Sequence, residues 1–247
     1  MKIYVITTQD RFHLQNHTEQ YWRQVGENVQ YYDNTNQHPG KGRNAVLQKF
    51  YNECDDEWCV ISDDDNIIDP KRGYYELFIE HIDQVLDSAK KNDIATFGIL
   101  NNIVHRVATT INHPVIQSNW VWMRSFSLSN IFFHRRTKFV PFNETEMLED
   151  QEWCMDQLTN GLKCATLMNL VMKDINLKSC LFKDNEHRMT YYKKAKQNWL
   201  KKYTDLKPDK NGRISKLPLV KRYWTYNANW GSIKNIGVAC RNKYQNK

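Results

Sequence analysis

Strand-like and helix-like segments alternate over residues 2–100, and this order is the strongest constraint on the fold. Short runs rich in β-branched and aromatic residues indicate buried strands: "KIYVITT", "NVQYYDN", "EWCVIS" and "DIATFGIL". The segments between them place apolar residues at helical spacing, most clearly in "GYYELFIEHIDQVLDSAKK". This alternation predicts an α/β fold with a mostly parallel central sheet flanked by helices.

Local signals predict where several further elements begin and end. The first helix is expected to end near Gly26 and the second to begin near Gly42, after turn-forming residues. Beyond residue 100, "SNIFFHRR" and "CATLMNLVMKDIN" indicate two more strands. Between them, "TEMLEDQEWCMDQLTNG" predicts a helix with Thr145 as its N-cap and Gly161 at its end.

The cysteines and the hydropathy pattern indicate a cytoplasmic protein. The 6 cysteines include no C-x-x-C pair and no zinc-site spacing, so we expect reduced, buried thiols. No apolar run approaches the roughly 20 residues that span a bilayer. The N-terminal apolar run turns polar too early for the core of a secretory signal.

Positive charge is concentrated at the C-terminal end of the chain. Residues 188–247 contain 16 Lys and Arg against 2 acidic residues, a net charge of +14. Since the whole chain carries +7, residues 1–187 carry −7. Basic residues can neutralise nucleic-acid phosphates, and aromatic residues can stack on bases or sugars. An anionic lipid surface and a solvated helical face are the alternatives. The interleaved aromatic residues are Tyr191, Tyr192, Trp199, Tyr203, Tyr223, Trp224, Tyr226 and Trp230.

Three consecutive aspartates, Asp63, Asp64 and Asp65, follow the third predicted strand in "CVISDDDNIIDP". In parallel α/β sheets, ligands bind beyond the carboxyl ends of the strands. Along an extended chain the outer two side chains converge and the middle one turns away. Clustered carboxylates repel one another unless a cation neutralises them, and Mg²⁺ and Mn²⁺ prefer such oxygen ligands. The triplet therefore indicates a metal–diphosphate site, with a polar turn that caps the next helix as the alternative.

Three segments resemble motifs of the GT-A glycosyltransferases, especially their large family-2-like group. "VISDDDNIIDP" is similar to the strand, D-x-D and D-P order of that group. "GKGRNAVLQKF" resembles its G-x-x-x-A-R-N-x-G helix start at Gly42, Arg43 and Asn44, although the alanine and the later glycine are missing. "MLEDQEWCMDQL" resembles its acceptor helix. The resemblance covers roughly residues 1–160 and implies a GT-A nucleotide-sugar-binding fold.

The resemblance also implies the donor and its cation. Asp63 and Asp65 would hold Mn²⁺ or Mg²⁺ against the diphosphate of a UDP-sugar, and His187 would contact the metal or the diphosphate. The remaining donor contacts that the resemblance implies are Thr7, Thr8 and Arg11 near the base or phosphate, Asp33 at the uridine edge, Asp64 toward the ribose or sugar, and Arg43 on phosphate or sugar with assistance from Lys41. A surface salt bridge is the alternative for Arg43.

The candidate catalytic residues lie in the acceptor-helix motif. Asp150 would be the general base that removes the proton of the acceptor hydroxyl, and Glu149 is the alternate. The alternative interpretation is an acid-rich first helical turn favoured by the helix dipole. An inverting enzyme needs such a base, whereas a retaining one leaves proton removal to the departing phosphate, so both outcomes remain open.

The basic, aromatic C-terminal region and the Lys-, Asn- and Tyr-rich composition resemble T-even-type bacteriophage enzymes that glycosylate DNA. From the GT-A motifs and the charge distribution we expect residues 1–187 to form a GT-A catalytic domain and residues 188–247 to form a basic, aromatic-rich helical extension packed on it. The expected acceptor is hydroxymethylcytosine in double-stranded DNA, or its glycosylated form. The alternatives are a GT-A transferase acting on lipopolysaccharide, capsule or a lipid-linked sugar, and a catalytically silent DNA- or carbohydrate-binding module.

Overall fold

The computed structural model describes residues 1–71, 74–101, 122–124, 130–144 and 149–175, together with a few residues between 186 and 195. The predicted N-cap Thr145 and the candidate metal ligand His187 lie outside the described residues, as does nearly all of the basic region from residue 188 onward. The predictions made for them therefore remain predictions.

The described strands form one mixed sheet of eight strands in the order β2-β1-β3-β7-β5-β8-β4, with β6 paired to β8. The parallel pairs are β1 with β2, β1 with β3, and β5 with β8, whereas β7, β4 and β6 run in the opposite direction to their neighbours. The predicted α/β class is confirmed, with β7 inserted antiparallel between β3 and β5. The strand bounds are β1 Lys2–Thr7, β2 Asn28–Asp33, β3 Trp58–Asp63, β4 Asn66–Ile68, β5 Ile94–Asn101, β6 Trp122–Arg124, β7 Ile131–Arg135 and β8 Lys163–Asp174.

The helices follow the predicted order, with two corrections. The expected single helix across residues 73–91 is two helices, because His81 between them leaves helical geometry at φ −125° and ψ 32°. The second helix begins at Pro39 and not near Gly42, since the fixed φ of proline suits the first helical position. The bounds are a 3-10 helix at Gln9–Leu14, α1 Gln15–Val25, α2 Pro39–Glu53, α3 Tyr75–Glu80, α4 Ile82–Lys91 and α5 Glu149–Thr159.

Two apolar clusters cover the two faces of the sheet. Successive residues of a strand point to opposite faces, so Ile3 and Val5 of β1 join one cluster while Tyr4 and Ile6 join the other. Helices α1, α3 and α4 pack on the first face, and α2 and α5 pack on the second. The sheet is therefore held between two helical layers, and α2 and α5 lie on the same side of it.

The described cysteines agree with the expected reduced thiols. Cys59, Cys154 and Cys164 are buried, Cys54 is partly buried, and none of these four is in a disulfide. Among the described residues, no helix is both long enough and apolar enough to cross a membrane.

A buried polar network under the second face centres on His134 of β7. Its Nδ1 lies 2.7 Å from the hydroxyl of Thr96, which donates at 2.7 Å to Oε1 of Gln157. Because that hydroxyl has one proton, it accepts from Nδ1–H of His134. Nε2 of His134 lies 3.0 Å from the hydroxyl of Tyr51. Burial, reinforced by the charge of Arg135, lowers the pKa of His134 from 6.5 to about 3.

The neutral His134 makes the stability of the fold sensitive to acid. Its pKa is lower in the folded state, so its contribution is present above pH 6.5 and is lost as the pH falls toward 3. We expect the wild type to lose about 2 kcal/mol of unfolding free energy between pH 7 and pH 5 from this residue alone. Urea unfolding of His134→Gln should lack this component, whereas the exposed control His17→Gln should follow the wild type. Equal pH slopes for wild type and His134→Gln would contradict the prediction.

Candidate functional site

The carboxyl ends of β1, β2 and β3 meet at one edge of the sheet. The parallel register places Thr7 beside Asp33 and Ile6 beside Asp63. The backbone N–H of Asp64 donates to the carbonyl of Ile6 at 3.0 Å, which holds the turn after β3 against β1. The aspartate triplet therefore lies where the sequence predicts it, at the edge where α/β sheets bind ligands.

An arginine lies between two of the three aspartates. Nη2 of Arg11, on the 3-10 helix, lies 2.5 Å from Oδ1 of Asp64 and 2.5 Å from Oδ2 of Asp65. Asp64 is buried and also accepts a 2.6 Å hydrogen bond from the hydroxyl of Thr7. The hydroxyl of Thr8 donates to Asp10 at 2.6 Å. In this structure Arg11 is ion-paired with the triplet, and its expected contact with a base or phosphate stays a prediction.

Asp63 faces a second arginine. Nη2 of Arg43 lies 3.0 Å from both carboxylate oxygens of Asp63, and Nη1 contacts Oε1 of Glu149. The guanidinium lies over the ring of Phe132, 5.3 Å from its centroid. Arg43 is only 3% exposed, so its ion pair is buried and is not the surface salt bridge given as the alternative. Its expected contact with phosphate or sugar stays a prediction. The triplet is divided: Asp64 and Asp65 share Arg11, and Asp63 pairs with Arg43.

Negative charge remains in excess around Asp65 despite the two arginines. Burial raises the pKa of Asp65 to about 7; the charges of Asp63 and Asp174 raise it further, and Arg11 opposes them. Burial likewise raises the pKa of Asp64 to about 6, against the Thr7 hydrogen bond and Arg11. A bound cation would relieve this repulsion and keep the carboxylates ionised.

The donor set near Asp63 and Asp65 suits a hard divalent cation that is shared with a phosphate. The side chains of Asp63 and Asp65 are 26% and 14% exposed, so both reach the surface of the edge. Among the described residues, no group of three or more His, Cys, Asp or Glu side chains is arranged to hold a metal ion. Mg²⁺, however, is commonly held by one or two carboxylates together with substrate phosphates and waters. The residues present fit that arrangement.

Asp33, at the end of β2, anchors a small polar network at the same edge. It accepts hydrogen bonds from the backbone N–H and the hydroxyl of Thr35 at 2.8 and 2.5 Å. The backbone N–H of Gln9 donates to Thr35 Oγ1 at 2.8 Å. The two hydrogen bonds from Thr35, that of its hydroxyl above all, lower the pKa of Asp33. The sequence did not single out Gln9 or Thr35, although an aspartate two residues before a threonine is typical of an Asx turn.

The start of α2 is packed against the same edge through a buried asparagine. The backbone N–H of Asn34 donates to the carbonyl of Thr7 at 2.7 Å. Its Nδ2 donates to the carbonyls of Gln37 and His38 at 3.4 and 3.3 Å. A Cβ on Gly42 would lie 2.4 Å from Oδ1 of Asn34, so a larger residue here would displace the Asn34 amide. The resemblance to GT-A motifs pointed to Gly42, whereas the contacts of Asn34 could be identified only from the structure.

The two candidate catalytic residues occupy the first turn of α5 and differ in their surroundings. Glu149 is buried and ion-paired with Arg43, whereas Asp150 is partly buried. Burial raises the pKa of Asp150, the charge of Glu149 raises it further, and Arg43 opposes the shift. The acid-rich turn is thus joined to the aspartate edge by a specific contact, beyond any stabilisation from the helix dipole. Lys41 is exposed in the first turn of α2.

No protein-family model matches this sequence, and no curated protein matches it. Solved structures with a similar backbone include A197 from STIV, with 10% identity and a TM-score of 0.45 over 71% of this chain and 86% of that one. S. aureus TarS 1-349 in complex with UDP shares 17% identity at a TM-score of 0.41, over 69% of this chain and 50% of that one. A glycosyltransferase involved in the glycosylation of the major capsid of PBCV-1 shares 11% identity at a TM-score of 0.32, over 63% of this chain and 66% of that one.

Proposed function

We propose that this chain is a metal-dependent glycosyltransferase that moves a sugar from a UDP-sugar to a hydroxyl acceptor. The observation that carries the proposal is the meeting of the aspartate edge with the first turn of α5 through Arg43, which contacts both Asp63 and Glu149. Arg43 therefore links the aspartates that would hold a cation to the helical turn that carries the candidate general base. Metal-dependent inverting transfer uses both functions: a cation that stabilises charge on the leaving group and a base that takes the proton of the nucleophile.

On the donor side, Asp63 and Asp65 are the residues that would hold Mn²⁺ or Mg²⁺. Each carboxylate has about four lone-pair sites, so the contacts with Arg43 and Arg11 leave further sites on the same groups. When bound, the cation stabilises the negative charge that develops on the departing diphosphate. Asp33 at the neighbouring strand end would accept a hydrogen bond from the uracil ring; its exposure and its lowered pKa, which keeps it ionised near neutral pH, support this role.

On the acceptor side, Asp150 is the proposed general base. A base is most effective when its pKa lies near the working pH, and burial beside Glu149 shifts the pKa of Asp150 in that direction. Glu149, the alternate, is held by Arg43, so its carboxylate is engaged in the buried ion pair. Asp150 therefore accepts the proton of the acceptor hydroxyl as the new glycosidic bond forms.

For the acceptor we propose hydroxymethylcytosine in double-stranded DNA, or a sugar already attached to it. The support is the net charge of +14 and the interleaved aromatic residues of residues 188–247. Basic side chains bind backbone phosphates, and a flipped base can present its hydroxymethyl group to a pocket. Nucleoside mass spectrometry after incubation of hydroxymethylated DNA, Mn²⁺ and a panel of UDP-sugars tests this acceptor. Mass gain on the modified nucleoside supports it; no gain on any DNA, with transfer to lipopolysaccharide or lipid-linked sugars, overturns it.

Asp65→Asn tests the donor site without an acceptor. We expect the affinity for UDP in the presence of Mn²⁺ to fall by more than about 100-fold, since even outer-shell partners of a metal contribute roughly 10- to 100-fold. Isothermal titration calorimetry with and without Mn²⁺ measures this loss. The matched control is Asp55→Asn, an exposed acid before the opposite end of β3, which should bind UDP like the wild type. Equal Mn²⁺-assisted binding in both variants would remove Asp65 from the donor site.

A further inference from the structure

Arg43 joins the two halves of the candidate site through one buried side chain. One nitrogen of its guanidinium contacts Asp63 on the donor side, and another contacts Glu149, the neighbour of Asp150 on the acceptor side. The two carboxylates come from β3 and α5, which lie far apart in the sequence. Within the described residues, no other ion pair between side chains joins the aspartate triplet to α5.

The packing around Arg43 leaves its position little freedom. A Cβ on Gly40, one turn before it, would lie 2.0 Å from the carbonyl oxygen of Asn143 and 3.3 Å from Cβ of Glu149. The α2 backbone therefore touches both the segment before α5 and α5 itself. Asn143 in turn donates to Asp156 of α5 at 2.8 Å. The guanidinium is also confined on its face by the ring of Phe132.

We propose that Arg43 is a positioning residue that sets the separation between the donor carboxylate Asp63 and the candidate base Asp150. This inference rests on the proposed function and deepens it. The planar guanidinium can contact two carboxylates along fixed directions, whereas a lysine ammonium is a point charge on a flexible stem. Without these two directed contacts of the guanidinium, α5 could shift relative to the bound donor. A displacement of about 1 Å can cost on the order of 100-fold in rate.

The test is Arg43→Lys, which keeps the positive charge but removes the planar guanidinium that contacts both carboxylates. We expect turnover of the UDP-sugar that the wild type uses to fall about 100-fold, while UDP binding with Mn²⁺, measured by calorimetry, stays within a few-fold of the wild type. A simultaneous loss of both would indicate a donor ligand and overturn the positioning role, and unchanged turnover would overturn it as well.

Arg136→Lys is the matched control for a structural arginine. The guanidinium of Arg136 donates to the carbonyls of Phe50, Tyr51 and Asp56 and lies over the ring of Phe50 at 4.8 Å. Its replacement should lower stability but leave turnover per folded molecule unchanged. Equal losses of turnover in Arg43→Lys and Arg136→Lys would mean that Arg43 has only a structural role.

Glu149→Gln is the variant to use if Arg43→Lys does not fold. It removes only the ion pair of Arg43 with α5. This variant too should lose turnover while retaining Mn²⁺-assisted UDP binding. Normal turnover in this variant contradicts the inference. Failure of the proposed function looks different: the wild type itself would then show neither Mn²⁺-assisted UDP binding nor sugar transfer.

Discussion

Asp150→Asn is expected to lower the turnover of sugar transfer by about 10²- to 10⁴-fold, the contribution typical of a general base. The amide is nearly isosteric with the carboxylate but cannot accept the proton of the acceptor hydroxyl. Because Asp63 and Asp65 are unchanged, Mn²⁺-assisted binding of UDP should be retained. UDP release during transfer gives the rate, and calorimetry gives the binding.

The control is Asp87→Asn, which makes the same chemical change at an exposed position of α4. It should leave both quantities at the wild-type level. If Asp150→Asn transferred sugar at the wild-type rate, Asp150 would not be the base. The raised pKa of its carboxyl would then result from burial beside Glu149 and have no catalytic role. Loss of UDP binding in Asp150→Asn would instead place this residue on the donor side.

Gly40→Ala is expected to have the largest effect on stability, with a loss of about 3 kcal/mol of unfolding free energy. Alanine in a helix gains up to about 1 kcal/mol over glycine, but the new Cβ would lie 2.0 Å from a backbone oxygen of Asn143. The steric term therefore outweighs the helix propensity, and α2 must move away from α5. Thermal unfolding should show a decrease of roughly 6–12 °C in Tm for a chain of this size.

Gly161→Ala separates this steric cost from the general cost of replacing a glycine. Gly161 has φ +82° after the end of α5, but a Cβ there meets no heavy atom within 4 Å. Its replacement should cost only about 1–2 kcal/mol, from the left-handed backbone alone. Equal losses for the two variants would contradict the close approach of α2 to Asn143.

Much of the fold follows from local patterns in the chain. The strands predicted from β-branched runs are present as β1, β2, β3 and β5, because successive apolar residues such as Tyr4 and Val5 are buried on opposite faces of the sheet. The break at His81 was not predictable, since the apolar positions Phe78, Val85 and Leu86 keep a helical spacing across it. The short strand β4 was also missed; its pairing partner, β8, begins nearly 100 residues later in the sequence.

The candidate site was predictable in its location but not in its contacts. A polar triplet directly after an apolar strand must lie at a sheet edge, and Asp63 does so beside β1. The partners of the triplet could not be predicted, because the charges that meet it come from a 3-10 helix and from α2. The sequence interpretation assumed an extended chain in which Asp64 turns away from its neighbours, whereas Asp64 and Asp65 lie in a turn and share Arg11.

Local residue patterns are sufficient to predict the order of the elements and the edge of the sheet at which the acidic residues lie, since both depend on side chains close to one another along the chain. The pairing of each cation with its carboxylate, in contrast, follows from the packing of distant segments. Arg43 and Glu149 are 106 residues apart, and they meet because α2 and α5 pack on the same face of the sheet. Contacts of that kind depend on strand order and helix packing, which local periodicity does not encode.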